Sequence, residues 1–451
     1  MFGTFKVWSF EIVSNFACLR EAASAKAGIS CFGFRLSLTC LKSGGERVGS
    51  MDNKLIGRRD FMKSTFAGFG GLFFLPPFDM KQEVKFVEAK GKEKKMVYRT
   101  LGKTGLKLPV INMGVMLTDN PNIILTALDS GILLLDTAHG YMQGRNEQTI
   151  GEVIKGRPRD SYYLATKISL PQNRTTGLYQ EGATTEEFLK RLDISLKRLG
   201  VDYVDILYQH GVSRKESVMY EPILKAFEQA KKAGKIRYSG VSTHGNEPEV
   251  IHAATDSKAH DVILTVHNFK QKHYQEERAA IARASQAGIG IVGMKAVRSA
   301  YQHPPTIKNI TASFKWILQD PNVHTVIAGF TAFEHIEIDL SVMNDLTLTE
   351  PEKIELQREA SLPGLYCQGC RQCLGQCPEK LPIPDLMRSY MYTYGYRSAA
   401  HAQDLVVSLG LPDRVCEDCS YCPVKCSIGF NVPKKIRDVA RLKDVPSEFL
   451  G

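Results

Sequence analysis

Residues 131–148 read GILLLDTAHGYMQGRNEQ. A glycine opens an apolar run, Ile132 to Leu135, which stops on Asp136. A continuous apolar run, unlike an alternating one, suits a parallel strand buried on both faces. Seven more runs of this kind flank it: 110–115, 162–168, 204–210, 236–242, 262–268, 289–296 and 324–330. Between them lie helical patterns. Thr184-Thr185-Glu186-Glu187 offers a capping box; Phe188, Leu192, Leu196 and Leu199 follow at helical spacing, and Gly200 ends the helix. Similar helices are expected over 222–233, 274–286 and 311–319. Eight strand–helix units over about 250 residues predict a (β/α)8 TIM barrel. A doubly wound open sheet is the alternative, but no G-x-G-x-x-G follows the first run.

A barrel of this kind carries its chemistry at the C-terminal ends of its strands. That rule selects Asp136 on the second run, Tyr141 in the loop after it, Lys167 on the third and His210 on the fourth. Tyrosine is a poor acid near neutral pH, with an ordinary pKa of about 10. A neighbouring ammonium would stabilise the phenolate and lower that value, and a carboxylate would hold the ammonium. An imidazole can donate to a substrate oxygen as charge develops on it. Together the four suit proton transfer to a carbonyl.

The chain has 451 residues and 11 cysteines, three of them within the first 50 residues and eight between Cys367 and Cys426. The distribution describes a cysteine-free body followed by a thiolate-rich module, not a disulfide scaffold. The module holds Cys367-x2-Cys370-x2-Cys373-x3-Cys377 and Cys416-x2-Cys419-x2-Cys422-x3-Cys426. Two such runs are a specific signal for two [4Fe–4S] clusters, with the fourth cysteine of each run ligating the other cluster. The expected sets are Cys367, Cys370, Cys373 and Cys426, and Cys416, Cys419, Cys422 and Cys377. Zinc would favour C-x2-C pairs in fours. Helical patterns over 386–394 and 401–409 separate the runs. The expected fold class is therefore α/β, a barrel followed by a mainly α-helical, ferredoxin-like iron–sulfur domain.

The net charge of +10 sits largely at the start: residues 1–100 hold 17 Lys and Arg against 9 Asp and Glu. The folded body is near neutral, which speaks against a nucleic-acid partner. Arg58-Arg59-Asp60-Phe61-Met62-Lys63, followed by a short apolar stretch, resembles a twin-arginine export signal. The expected organisation is an upstream extension over 1–50, the signal over 51–80, a charged linker over 81–95, the barrel over 96–362 and the iron–sulfur domain over 363–451. Localisation would be periplasmic or otherwise exported, with only transient membrane contact, and cytoplasmic if the signal is unused.

Gly131-x4-Asp136-Thr137-Ala138-x2-Tyr141 resembles the Asp–Tyr motif of the aldo-keto reductase family. Tyr98-Arg99-x-Leu101-Gly102-x-Thr104-Gly105-Leu106 and Gly234-Lys235-Ile236-Arg237-Tyr238-x-Gly240-Val241-Ser242 resemble its opening hairpin and fifth strand. The resemblance implies interconversion of a carbonyl and an alcohol on a sugar-like or other small substrate. Tyr141 would be the proton donor, Lys167 and Asp136 would tune it, and His210 would orient the carbonyl. It implies NADPH or NADH, contacted by Ser242, Asn268, Met294, Lys295, Gly329, Phe330 and Thr331. The cofactor side departs from the family: Thr243, Leu264, the Met294-Lys295 region and Asp339 replace its usual residues, and no guanidinium fork for a 2′-phosphate is evident. An exported enzyme would recycle a tightly bound nicotinamide or draw electrons from a redox partner protein. The competing reading is an electron-transfer or ligand-binding subunit whose barrel does not turn over.

Overall fold

The computed structural model describes residues 96–297, 306–362, 364–417, 419 and 421–450; the readings over 1–50, 51–80 and 81–95 lie outside it. The described chain opens with an antiparallel hairpin, β1 (Tyr98–Thr100) and β2 (Lys107–Pro109). Its leucines, Leu101, Leu106 and Leu108, are buried against Leu134, Ile206, Val262 and Val292 from inside the barrel. The hairpin therefore plugs one end, leaving the other for chemistry.

Eight parallel strands follow: β3 (Ile111–Gly114), β4 (Leu134–Asp136), β5 (Tyr163–Ile168), β6 (Val204–Val212), β7 (Ile236–Thr243), β8 (Val262–Val266), β9 (Gly290–Met294) and β10 (Thr325–Ala328). They close in sequence order, β10 pairing with β3. All eight apolar runs form strands of one barrel. The closed ladder leaves no free edge, and its side chains pack on both faces as continuous apolar runs require. Gly240 on β7 is needed for close packing inside: a Cβ there would stand 2.6 Å from the Tyr208 ring.

The outer layer holds α1 (Pro121–Asp129), α2 (Arg145–Ile154), α3 (Thr185–Leu199), the short α4 (Lys215–Val218), α5 (Glu221–Lys232), α6 (Glu247–Ser257), α7 (Tyr274–Gln286), α8 (Ile307–Leu318) and α9 (Phe333–Ser341). Phe188 on α3 meets Phe227 on α5 edge to face at 5.4 Å, and each fully buried ring contributes about 2–3 kcal/mol. Two local expectations shift. At α3 the Thr184 side chain accepts from the Glu187 N–H, while Glu187 turns to Arg191 at 2.7 Å. Helix α8 starts four residues before the expected 311, because Thr306 and Asn309 form a reciprocal capping box.

After α10 (Glu350–Ser361) the chain leaves the barrel wall and forms α11 (Ile383–Tyr390), α12 (Ala399–Ser408) and α13 (Val432–Ala440). Leu381, Ile383, Leu386, Val432 and Ile436 make a small core, and the cysteines Cys367, Cys373, Cys377, Cys416 and Cys426 pack on it. A second cluster, Tyr366, Met391, Tyr392 and Ala402, reaches Met116 just beyond β3. The module thus lies on the C-terminal ends of the strands. At the seam, two backbones nearly touch: a Cβ on Gly369, whose φ is +74°, would stand 2.4 Å from the His244 carbonyl oxygen. Thr175 donates to the Lys380 carbonyl at 3.2 Å and Lys272 to that of Ser427 at 2.9 Å.

Candidate active site at the barrel mouth

Lys167 projects from the end of β5 and is buried at 2% exposure. Its ammonium donates to Asp136 Oδ1 on β4 and, at 2.7 Å, to the Thr137 carbonyl. Asp136 Oδ2 is buried with no hydrogen-bond partner. Burial lowers the Lys167 pKa and raises that of Asp136, and the pair's attraction opposes both shifts. The Tyr141 ring stands 5.2 Å from the Lys167 ammonium and 5.9 Å from the His210 ring, edge to face. Ser169 Oγ lies 3.1 Å from His210 Nδ1. Burial, then the charges of Lys167, Arg388, Arg174 and Lys295, hold the His210 pKa well below its ordinary value. This favours the neutral imidazole, and the tautomer in which the Ser169 hydroxyl donates to Nδ1 presents Nε2–H to the cavity.

The structure thus brings together Asp136, Tyr141, Lys167 and His210. Burial, then Asp136, pushes the Tyr141 phenol above its ordinary value, and Arg388 draws it down. Lys167, held by Asp136 and a backbone carbonyl, stands beside the ring, and Arg388 is likewise paired, with Asp385. Arg388 comes from α11, in the cysteine module.

That module roofs the mouth. A cavity between the two is lined by Tyr141, His210, His244 and Lys295 from the barrel side and by Cys367, Arg371, Asp385, Arg388, Tyr392 and His401 from the module. His401 stands 6.5 Å from the Tyr141 ring. None of the module's non-cysteine residues carries a sequence signal of its own. Each meets the mouth through tertiary docking across more than 200 residues.

A second, mostly apolar groove runs from Tyr141 and Asp136 past Gly114, Met294, Lys295, Gly329 and Asp339, and Tyr396 of the module closes one side. Of the expected cofactor contacts, Met294, Lys295 and Gly329 line this groove. Ser242 Oγ accepts from the Gly211 N–H at 3.0 Å. Asn268 accepts from the Lys270 N–H at 3.1 Å and sits near the Lys295 carbonyl. Phe330 is in the hydrophobic core. The exposed Thr331 donates its N–H to Nδ1 of His335, a residue that lines the groove, at 3.3 Å. Lys295 takes a left-handed backbone, φ +58°, at the strand end, and its ammonium lies 5.6 Å from the Tyr392 ring. A non-glycine residue in this region costs about 1–3 kcal/mol and is held only where its surroundings require it.

The eight cysteines of the module are free thiols. They fall into two neighbourhoods. Burial raises Cys367 to about 12, and its interacting thiols are Cys373, Cys370 and Cys426. Burial raises Cys416 to about 11, and its interacting thiols are Cys377, Cys422 and Cys419. The second set, with Pro378 and Pro423, lines a small pocket. Among the described residues, no group of three or more His, Cys, Asp or Glu is gathered to hold a single metal ion.

Residues 116–301 match the aldo/keto reductase family. This stretch of the chain is similar to that family. The L-glyceraldehyde 3-phosphate reductase of Escherichia coli (strain K12) is 33% identical over 165 residues, 34% of this chain and 46% of that protein. The oxidoreductase YqkF of Bacillus subtilis (strain 168) is 27% identical over 301 residues, 57% of this chain and 95% of that protein. An aldo-keto reductase of Schizosaccharomyces pombe named with NADP(+) is 38% identical over 125 residues, 27% of this chain and 36% of that protein. The matched stretch spans about half the length of the E. coli relative. Among solved structures, an aldo-keto reductase from Bacillus halodurans in its holo form shares the fold, with TM-score 0.50, 24% identity, 59% of this chain and 97% of that chain.

Proposed function

We propose that the protein is an oxidoreductase of the aldo-keto reductase type that interconverts a carbonyl and an alcohol beneath a two-cluster iron–sulfur roof. One observation carries the reading: Tyr141, His210 and the cysteine Cys367 line a single cavity. A bound nicotinamide supplies or accepts hydride, and [4Fe–4S] clusters supply or accept single electrons. The chain's own residues do the rest. His210 Nε2–H holds the carbonyl oxygen. Tyr141 Oη holds the proton that this oxygen takes as hydride arrives, and takes it back in the oxidative direction. Arg388 stabilises the phenolate that remains, and Lys167, fixed by Asp136, holds the floor of the site. The roof excludes water, which strengthens each of these interactions.

The groove beside Met294 and Gly329 suits the flat, weakly polar nicotinamide end of NADPH or NADH. A 2′-phosphate fits it less well: it carries the Asp339 carboxylate and, among the described residues, no guanidinium. The same feature supports the second reading, a ligand-binding or electron-transfer subunit without turnover. The two cysteine neighbourhoods suit clusters. Each has four thiols drawn from both runs, and a four-iron cluster gives each thiolate its own iron, so the sulfurs stand wider than around one ion. Cys367 in the cavity wall puts the first set beside the substrate, and the second set, near the surface pocket, faces a redox partner protein. Export of the folded protein through the twin-arginine route accords with cofactors loaded beforehand.

The test is an anaerobic titration of the full chain with NADPH and with NADH, following nicotinamide fluorescence, after iron and sulfide analysis. Saturable binding and about eight irons per chain are expected. Bound zinc in place of iron would overturn the cluster reading. Absence of both bound and bindable nicotinamide would overturn the reductase reading and favour the second.

A further inference from the structure

The cavity under the roof carries more positive charge than its own carboxylates neutralise. Three guanidiniums, Arg174, Arg371 and Arg388, line it; Lys295 lines it too, but burial and Arg388 lower its pKa to about 7 and so reduce its charge. Asp385 and Asp404 are the carboxylates in its wall. Asp404 lies to one side, accepting from Gln143 at 2.9 Å. Asp385 is the centre of the array. It receives Arg388, stands 4.0 Å from Arg174, and is the main attraction felt by Arg371. One carboxylate thus pairs with two guanidiniums, and Arg371 donates to the Arg174 and Thr175 carbonyls beside them. The nearby imidazoles add no counter-charge. Burial and the surrounding cations keep His210 and His244 neutral.

Clusters at the cysteines would account for part of this charge, because Arg388 and Lys295 feel Cys367 and Arg371 feels Cys373. Arg174 is different. It stands on the loop after β5, 41% exposed, with Asp385 4.0 Å away as its ion-pair partner among the described residues. Its place over the mouth needs another reason. Guanidiniums bind carboxylate and phosphate through paired, directional hydrogen bonds. Arg388 shares the cavity with the reactive Tyr141, and the cavity, about 340 Å³, lies within the range of small-ligand sites, roughly 300–1,000 Å³.

We propose that Arg388 and Arg174 form an anion-binding subsite, so that the substrate offered to Tyr141 is a carbonyl compound or alcohol bearing a carboxylate or a phosphate. Asp385 holds the two guanidiniums apart and pre-oriented, and the substrate's anion satisfies the charge that Asp385 leaves over. The barrel supplies Arg174 and the module supplies Arg388, so neither part alone makes the subsite. The proposal rests on taking this cavity as the substrate's.

The test uses three sugars that differ at one carbon: D-glucose, D-glucuronate and D-glucose 6-phosphate. Each is titrated by calorimetry into anaerobic, cluster-loaded full-length protein, into Arg388→Gln and into Arg174→Gln. The anionic sugars are expected to bind at least tenfold more tightly than glucose. Arg174→Gln should cut that advantage at least fivefold while leaving iron content and visible absorbance unchanged; Arg388→Gln should abolish it. An advantage confined to glucuronate assigns a carboxylate, and one confined to the 6-phosphate assigns a phosphate. Equal binding of all three, binding of none, or an advantage that survives Arg174→Gln overturns the subsite. Arg174 is partly exposed on a barrel loop, so its variant keeps the question answerable if Arg388→Gln fails to fold. A separate turnover assay distinguishes the subsite from the reductase reading on which it rests. Anion binding through Arg174 without any carbonyl reduction would sink the reductase reading and leave the subsite standing; reduction of neutral and anionic carbonyls alike would do the reverse.

Discussion

Asp205 and Asp136 are both buried carboxylates on barrel strands, at opposite ends. Asp205, near the start of β6, uses both oxygens: Oδ2 accepts from Arg159 at 2.7 Å and from the Leu164 N–H at 2.9 Å, and Oδ1 accepts from Arg237 at 2.9 Å. Asp136, at the end of β4, gives one oxygen to Lys167 and leaves the other without a partner. A buried polar atom left unsatisfied costs about 1–3 kcal/mol. For these two carboxylates, the floor satisfies both oxygens and the mouth leaves one open, although Arg159 Nε and His260 Nε2 at the floor are also without partners. The same contrast holds for charge. The floor sets two guanidiniums on one carboxylate at its partly exposed rim, and the mouth encloses its cations under a roof.

The largest expected effect is at the mouth. Tyr141→Phe removes the proton and little else, so carbonyl turnover should fall by about 10²–10⁴-fold with the melting temperature unchanged, as measured by nicotinamide-linked assay and thermal unfolding. Full activity in that variant would remove the chemical role from this end of the barrel. Asp205→Asn should show the opposite pattern. It leaves two guanidiniums short of a partner and should destabilise the fold by about 3 kcal/mol, with turnover per folded molecule preserved. Asp136→Asn should lose turnover at least tenfold with a smaller change in stability. Should the two Asp variants behave alike in urea unfolding and in assay, the contrast between floor and mouth fails.

Acid sharpens the contrast at a third position. His260 begins the turn into β8, is buried at 3% exposure, and burial lowers its pKa from 6.5 to about 4. Unfolded, it takes up a proton near pH 6.5; folded, it does so only near 4. Between those values the unfolded chain holds more protons, so stability falls as pH falls. The contribution is whole above about pH 6.5 and is lost progressively toward pH 4. From pH 7 to pH 5 the loss is about 2 kcal/mol at 1.36 kcal/mol per unit. His260→Gln should remove that part of the slope, read from urea unfolding at the two pH values. An unchanged slope would move the acid lability to the histidines of the mouth.

The barrel was legible because its signal is local. Continuous apolar runs and helical periods identify β3 to β10 without knowledge of their neighbours, and the barrel rule then points to Asp136, Tyr141, Lys167 and His210. The spacing of the cysteine runs also anticipates the two thiol neighbourhoods of the module. What escaped was contact between distant segments. Arg388, Tyr392 and His401 look like ordinary helix residues, and only docking sets them over a tyrosine more than 240 positions earlier. Lys167 stands beside Tyr141 as the barrel order predicts, but the second cation near it, Arg388, comes from a helix that no barrel pattern describes. Phe330 and Thr331 show a subtler limit. They follow β10 as expected, yet one turns into the core and the other outward, a choice fixed by the loop's own turn.

The smallest effect tests whether floor, mouth and roof unfold as one. Helix α10 is the link from barrel wall to module. Thr349 caps it reciprocally with Glu352, and Glu352 also holds Lys315 of α8 at 2.9 Å. At its other end the Glu359 carbonyl receives the Lys270 ammonium. The helix is therefore tied to the barrel at both ends, and loosening one tie should not release the roof. Thr349→Ala removes the cap's hydroxyl and should cost about 1 kcal/mol. In a cooperative structure that cost appears as one shifted transition, with cluster absorbance and barrel circular dichroism moving together. Two separated transitions would mean that the roof can lift from an intact barrel, and the mouth would then open to water without unfolding.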